Sequence, residues 1–457
     1  MSWKFNQFRT GSGSQEVVFQ EFFKTQEVST IDSLVRESIQ NSLDALPKEF
    51  KDDKSKRVKV VFSIKKYTYD RKIKEFFDPL VKHVHSNNSS ISKARQKVFK
   101  ELVSNKGKFT CLAIEDFNTT GLVGDPTFMN NVLEKDEQND FAYFYRMDGA
   151  TGKGDSNLGS WGVGKTTFSA VSLINTFIGL SRSKNNENTV FGKSSIGNHK
   201  IDDTFFDPIG YYAKWENALP YAFDDKDKEY NDFKELFKLE RDLEHGLSVI
   251  VPFFYDYDGH ESKIETEITI QDLLDSVIKW YLFAIKNNDL EIIIKDSKDS
   301  IELNKNTIDS IATKNNLNDD VNFMQWIIDD SHNSIIKLNK LKANKAPKWS
   351  NKDDILDADL VPDLKESLNS NKELAFNLPV PISYKNSNTE YGFAYIYIQK
   401  KINQMKSDDT FIRGNLIISG IKTLRSTGGG YKAIVVVPYT YNNKTNPLFY
   451  YVTNAEG

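Results

Sequence analysis

The stretch Leu34-Val-Arg-Glu-Ser-Ile-Gln-Asn-Ser-Leu-Asp-Ala45 decides how the rest of the chain is read. From Thr30 to Leu46 there is neither glycine nor proline. Ile31, Leu34, Val35, Ile39, Leu43 and Leu46 recur at helical spacing, and Pro47 ends the run. At roughly 100° per residue, Glu37, Asn41 and Asp44 fall within an arc of about 60° beside that apolar stripe, not opposite it. A carboxylate, a neutral amide and a second carboxylate then point at one region of space. Mg²⁺ takes hard oxygen ligands and keeps several waters, so one amide oxygen suffices from the protein side. A carboxylate one turn earlier is free to polarise a water. Taken alone, the stretch also fits a helix with an ordinary solvated face.

Residues 1–29, upstream, mix aromatics with Gly11-Ser-Gly13 and read as an ordered arm. Downstream, Lys48–Arg57 is a charged loop and Val58-Lys-Val-Val-Phe-Ser-Ile64 a strand. Residues 71–105 read as polar helix, interrupted by His83-Val-His85 and Asn87-Asn-Ser-Ser90. The two histidines either hold a metal or lie in a wet loop, and no carboxylates are spaced to complete a metal site. Phe109-Thr-Cys-Leu-Ala-Ile-Glu-Asp-Phe-Asn-Thr-Thr-Gly-Leu122 is a short apolar strand running into an acidic pair and a turn. A carboxylate at such a strand end, with Asp116 the candidate, can accept a hydrogen bond from an exocyclic amine such as that of adenine. A plain strand-to-turn junction is the alternative, since Asp and Asn favour turns anyway.

Asp140–Arg146 reads as a short helix. It gives way to the glycine-rich Asp148–Ser160 and then to Gly159-Ser-Trp-Gly-Val-Gly-Lys-Thr-Thr-Phe168. Glycines 159, 162 and 164 let backbone amides approach an anion at a helix start, where the dipole also favours phosphate. Gly159–Thr166 also satisfies the P-loop spacing, but no apolar strand feeds it: Asp148–Ser160 is polar. Lys165 is placed to touch phosphate on either reading.

At 457 residues the chain has room for several domains. Its 39% hydrophobic and 27% charged content is that of a soluble globular protein. Its one cysteine, Cys111, excludes an intrachain disulfide framework and, inside an apolar run, reads as a buried strand residue. No run of about 18 apolar residues occurs and the N-terminus lacks a signal pattern, so a cytoplasmic location without membrane contact is expected. A net charge of −4 argues against wholesale nucleic-acid coating, while a local basic groove stays open.

Together the three segments resemble the GHKL ATPase family of DNA gyrase, the ninety-kilodalton heat-shock chaperone, histidine kinases and MutL. The family's box Glu-x-x-x-Asn-x-x-Asp-Ala is matched by Glu37, Asn41, Asp44 and Ala45. Its adenine-reading Asp and following glycine are matched by Asp116 and Gly121, and its Gly-x-x-Gly-x-Gly by Gly159, Gly162 and Gly164. Two departures stand out. Asn118 occupies a usual glycine position, with Gly121 one residue late, and Gly246-Leu-Ser-Val-Ile-Val-Pro252 carries Leu247 where threonine is usual, with Ser248 as a substitute. The resemblance implies an α/β sandwich of the Bergerat type over residues 1–255. It also implies bound ATP, Glu37 as general base and Asn41 as Mg²⁺ ligand. Asp44, Asp116, Gly121, Lys153, Gly159, Gly162, Val163, Gly164, Lys165 and Ser248 are the implied nucleotide contacts, and Asp148–Ser160 is the implied lid. Such closure gates turnover in many enzymes, and in gyrase, MutL and the chaperone it is linked to dimerisation.

From about residue 256 the composition changes. Ile270–Lys286 reads as an amphipathic helix, Leu290–Ile294 as a strand, Val321–Ile328 as a helix and Lys342–Asp354 as a linker. Strands are expected at Leu374–Tyr384, Gly392–Gln399, Phe411–Ser419, Lys432–Pro438 and Leu448–Val452. Residues 256–457 are similar to a transducer domain, in which a lysine reaches the γ-phosphate. Arg413, Lys422, Arg425 and Lys432 are the candidates, and the chain is conceivably incomplete at its C-terminus. The chain also resembles bacterial proteins related to the MORC and MutL groups. This implies an ATP-dependent homodimer acting in defence-type systems, with an effector such as a nuclease as partner and DNA a further candidate. The alternatives are an ATP-sensing scaffold without turnover and a P-loop NTPase using Gly159–Thr166.

Overall fold

In the computed structural model, the residues up to Leu303 build one large mixed sheet. Its main strands are β1 (Trp3–Gln7), β2 (Val58–Thr68), β3 (Lys108–Phe117), β4 (Thr176–Arg182), β5 (Asn188–Ser195), β6 (Thr204–Tyr212), β7 (Gly246–Val251), β8 (Leu290–Lys295) and β9 (Ser300–Leu303). They lie in the order β1-β6-β5-β4-β7-β3-β2-β8-β9. Neighbours run antiparallel except β2 and β8, which are parallel. The structure describes residues 3–8, 29–50, 53–86, 88–129, 138–146, 166–184, 188–257, 264–329, 334–340, 355–382, 390–400, 408–418, 430–442 and 444–453.

The central strand β3 is buried along nearly its whole length, so helices cover both of its faces. Period-2 alternation sends Cys111, Ala113 and Glu115 to one face and Leu112, Ile114 and Asp116 to the other. On the first face Cys111 and Ala113 join a core with Ile178, Leu180 and Ile250 from β4 and β7. That core is closed by α2 (Arg71–Val84), α3 (Lys93–Ser104) and α6 (Lys228–Phe237), through Phe77, Phe99, Phe233 and Phe237. Each such side chain, fully buried, contributes about 1.5–3 kcal/mol relative to exposure. Helix α1 (Thr30–Asp44) packs on β2 and on the short helix α5 (Thr166–Ala170); α4 (Asp140–Tyr145) precedes α5 in the chain.

The chain divides into two compact units. The first runs through Val277 and takes back Leu290–Leu303; the second holds Ile278–Asp289 and the chain from Asn304 onward. Helix α7 (Ile270–Lys286) carries the chain from the first to the second. In the second unit, α8 (Ile308–Lys314) and α9 (Asn318–Asp329) precede a sheet of β10 (Ile335–Lys337), β11 (Leu374–Ile382), β12 (Glu390–Lys400), β13 (Asp408–Arg413), β14 (Leu416–Ile418) and β15 (Tyr431–Val437). Its order is β10-β11-β12-β15-β13-β14. Helices α10 (Val361–Asn369) and α11 (Pro447–Thr453) both pack on β11 and β12. The α/β class expected from the sequence is the class observed.

Two local expectations are corrected. Leu448–Val452 is not a strand but the body of α11. Asn446 accepts the Leu448 N–H at 3.2 Å, and Pro447 starts the helix with its φ already set. Leu448 and Phe449 then pack on Ile382, Ala394 and Val437. His83 and His85 do not lie in a wet loop: they end α2, and His83 is stacked on Phe5 of β1 at 4.3 Å.

Candidate functional site

Helix α1 starts at Ser29, whose hydroxyl accepts the Asp32 N–H at 3.1 Å, and Asp32 itself complements the helix dipole. Leu34, Val35 and Ile39 are fully buried, as their spacing predicts. The covered surface extends further, however. Ser33, Ser38, Gln40 and Ser42 are buried too, while Ile31, Leu43 and Leu46 are only half-buried. Small hydroxyl residues can be buried on a helix because they bond back to its own carbonyls: Ser38 to Leu34 O at 2.6 Å, Ser42 to Ser38 O at 2.9 Å. Glu37, Asn41 and Asp44 are all half-buried, a degree of cover that keeps them within reach of a ligand.

The end of α1 is fastened to the turn after β3. The carbonyl of Ala45 accepts the Thr120 N–H at 2.9 Å, and the Ser42 hydroxyl lies 3.2 Å from Oδ2 of Asp116. Oδ1 of Asp116 accepts from the Thr119 hydroxyl at 2.5 Å and from the Leu247 N–H, at the start of β7, at 2.8 Å. Three segments of chain thus converge on one carboxylate. Burial pushes the Asp116 carboxyl above the usual carboxylate range, opposed by Arg241 and by the donors from Thr119, Leu247 and Ser42. The turn itself needs left-handed backbone. Asn118 has φ +62° and Gly121 φ +63°, and a Cβ on Gly121 would stand 2.5 Å from the Arg182 carbonyl oxygen. Asn is one of the residues with a side chain that adopt that conformation most readily. Its amide donates to the Arg57 carbonyl at 2.9 Å.

Gly246 is the residue whose missing side chain lets β7 approach. Its φ is +143°, and a Cβ there would fall 2.5 Å from Asp116 Oδ1 and 2.7 Å from Arg241 Nη1.

No family model matches this sequence, and no curated protein does. Among solved structures the chain is similar to the MutL ATPase domain of Aquifex aeolicus, in two structures, one of a substituted form. Identity is 10% in both, with 93% and 92% of this chain and 97% and 96% of the other covered, and the TM-score is 0.26 in both.

On the opposite face of β3 lies a second polar group. Glu115 is fully buried and accepts the N–H groups of Glu240 at 3.1 Å and Arg241 at 3.3 Å, plus the Ser248 hydroxyl at 2.8 Å. The Arg241 guanidinium, 1% exposed, donates to Ser248 Oγ at 3.0 Å, to the Glu244 carbonyl at 3.1 Å and to the Asp116 carbonyl, and lies 4.7 Å over the Phe117 ring. Burial lowers the guanidinium below its usual range, countered by Asp116 and Glu115. Ser248 therefore does not take the place of the family threonine at Asp116. It pairs with Glu115 across β7 and β3, so strand alternation turns it to the far face, and the N–H of Leu247 makes the contact instead.

Lys153, Gly159, Gly162, Val163, Gly164 and Lys165 lie outside the described residues. The described chain resumes at Thr166, which begins α5, and α5 packs on α1. In the second unit Lys432 is buried in an ion pair with Asp320 at 2.5 Å, and buried Arg413 donates to the Val452 carbonyl at 3.3 Å. Lys422 and Arg425 are outside the described residues. Cys111 is buried, and burial pushes its thiol up to about 12, which makes it inert as a nucleophile. No motif pointed to Ser42 or Arg241, though Ser42 stands next to Asn41; Gly246 was reached only through the glycine of the Gly246–Pro252 segment.

Proposed function

We propose that this chain binds ATP with Mg²⁺ and hydrolyses it in the manner of the GHKL ATPases. The observation that supports this most is the Asp116 carboxylate, sunk at the end of β3 and joined to the last turn of α1 through Ser42. Oδ1 is occupied by two donors, whereas Oδ2 has one and keeps a lone pair for an exocyclic amine. Adenine offers that amine; guanine presents a carbonyl there. Asn41 is the Mg²⁺ ligand. Among the described residues no three His, Cys, Asp or Glu side chains are grouped to hold a metal, so the ion would draw its remaining oxygens from phosphate and water. That fits a donor set built around one amide. Glu37, one turn earlier on the same half-buried side, takes the proton from the attacking water.

Calorimetric titration with ATP, with and without Mg²⁺, tests this. Asp116→Asn should weaken ATP more than guanosine triphosphate, and Asn41→Ala should remove the Mg²⁺ dependence. Unchanged ATP affinity in the Asp116 variant would take that residue out of the site. The P-loop reading draws less support, because it calls for a parallel sheet and only β2 and β8 run parallel among the neighbouring strands of the first sheet. Phosphate release in the steady state separates an ATPase from a scaffold that senses ATP without turnover. ATP-driven homodimerisation and control of an effector such as a nuclease, or of DNA, in a defence-type role complete the proposal. Light scattering with a non-hydrolysable analogue tests the first of these.

A further inference from the structure

We infer that Arg241 is a positioning residue for base recognition, holding the Asp116 carboxylate in register through the turn that precedes β7. The inference rests on the ATP reading of the site. Arg241 has no place in the family pattern described above, lies far from Asp116 in sequence and never faces the ligand side of β3, yet its guanidinium is one of the largest fully buried side chains in the molecule.

Its three hydrogen bonds define the job. Nη2 donates to the main-chain carbonyl of Asp116, fixing the residue that carries the reading carboxylate. Nη1 donates to the Glu244 carbonyl at 3.1 Å, two residues before Gly246, and so fixes the approach to β7. Nε donates at 3.0 Å to Ser248 Oγ, which passes its own hydrogen to Glu115 Oε2 at 2.8 Å. The N–H that orients Asp116 Oδ1 belongs to Leu247, between Gly246 and Ser248. Arg241 thus grips both sides of the Asp116–Leu247 contact at once. A planar guanidinium with fixed donor directions suits this better than an ammonium.

Charge argues in the same direction. Glu115 and Asp116 are adjacent, both buried, and would face each other's field across one strand without a cation. Arg241 is the charge that acts on Asp116 and opposes its protonation; burial lowers Arg241 in turn, and Asp116, Glu115, Glu244 and Tyr230 act against that. A neutral Asp116 could donate a proton as readily as accept one, and would lose its preference for an amine.

The test compares ATP with purine riboside triphosphate, which lacks the exocyclic amine, on wild type and Arg241→Gln. A hydrogen bond to a charged acceptor corresponds to roughly ten- to hundredfold in affinity, so wild type should prefer ATP by about that factor. Arg241→Gln should bring the ratio to within about threefold by weakening ATP alone, and Arg241→Lys, which keeps the charge but not the fork, should fall between. An equal loss for both nucleotides would show a merely structural role and overturn the inference. Should Arg241→Gln fail to fold, Ser248→Ala, which removes one of the three attachments, should lower the ratio in the same direction; an unchanged ratio overturns it equally. If wild type binds neither nucleotide, the ATP reading itself has failed, and this inference with it.

Discussion

The hydroxyl of Ser42, on the last turn of α1, lies 3.2 Å from Oδ2 of Asp116, a residue 74 positions further along the chain. Its single hydrogen is within reach of both that carboxylate and the Ser38 carbonyl, at 2.9 Å. The charged acceptor is the stronger of the two. Ser42→Ala should therefore cost about 1–2 kcal/mol of stability by leaving a buried carboxylate one donor short. ATP affinity should fall several-fold with it. Urea unfolding and calorimetric titration measure the two effects; a variant as stable and as tight-binding as wild type would show that the contact does nothing.

Gly246→Ala should be far more damaging than its single added methyl suggests. The backbone there sits at φ +143°, which residues with a Cβ rarely adopt, and the new atom would stand 2.5 Å from Asp116 Oδ1. The strand start must shift, and the Leu247 N–H moves away from the carboxylate with it. A loss of at least ~2 kcal/mol in unfolding free energy, together with loss of ATP binding, is expected. Gly107→Ala is the control: φ there is not left-handed and the nearest atoms are 3.3 Å away, so ATP binding should persist.

Glu37→Ala should separate binding from turnover. Glu37 sits one helical turn before Asn41 and is half-buried. Loss of a general base lowers the rate about 10²–10⁴-fold without removing a ligand to the nucleotide. Phosphate release should fall by at least ~10² while the ATP dissociation constant changes less than about threefold. Normal hydrolysis by the variant would assign the proton transfer elsewhere.

Period and spacing made a good part of this legible. The helix around Asn41 follows from the helical spacing of its apolar residues and the strand around Cys111 from a short unbroken apolar run, and Ile270–Lys286 has the bounds its pattern predicts. Ser42 was hidden because a buried serine on an amphipathic helix looks like a polar position; it is covered only because it bonds to its own helix. Arg241 was hidden more deeply. A lone arginine in a charged stretch reads as surface, and only the pairing of β7 with β3 reveals the buried Glu115 beside it. Ser248 was misplaced for the same reason: which face a strand residue takes depends on register, and register is a long-range property. At Leu448 the β-favouring aromatic run outweighed the Asn446-Pro447 start signal, which the structure obeys.

Away from Asp116, His83 and His199 give the molecule a weakness to acid. Nδ1 of His199 lies 2.8 Å from the Gly197 carbonyl and so carries its proton there, leaving Nε2 to accept from His83 Nδ1 at 2.7 Å. Phe5 stacks on His83 and Phe206 on His199, so the pair helps clamp β1 to the sheet. Burial, then His199, lowers His83 from 6.5 to about 4, and burial lowers His199 as well. The unfolded chain therefore binds more protons between these values, and stability contributed by the neutral pair is full above pH 6.5 and lost as pH falls towards 4. Two imidazolium rings at 2.7 Å would also repel. The melting temperature should drop by several degrees over that window in wild type, and the drop should be clearly smaller in His83→Asn, whose stability at pH 8 is lower from the start. Parallel melting curves against pH for the two proteins would show that the pair does not titrate on unfolding.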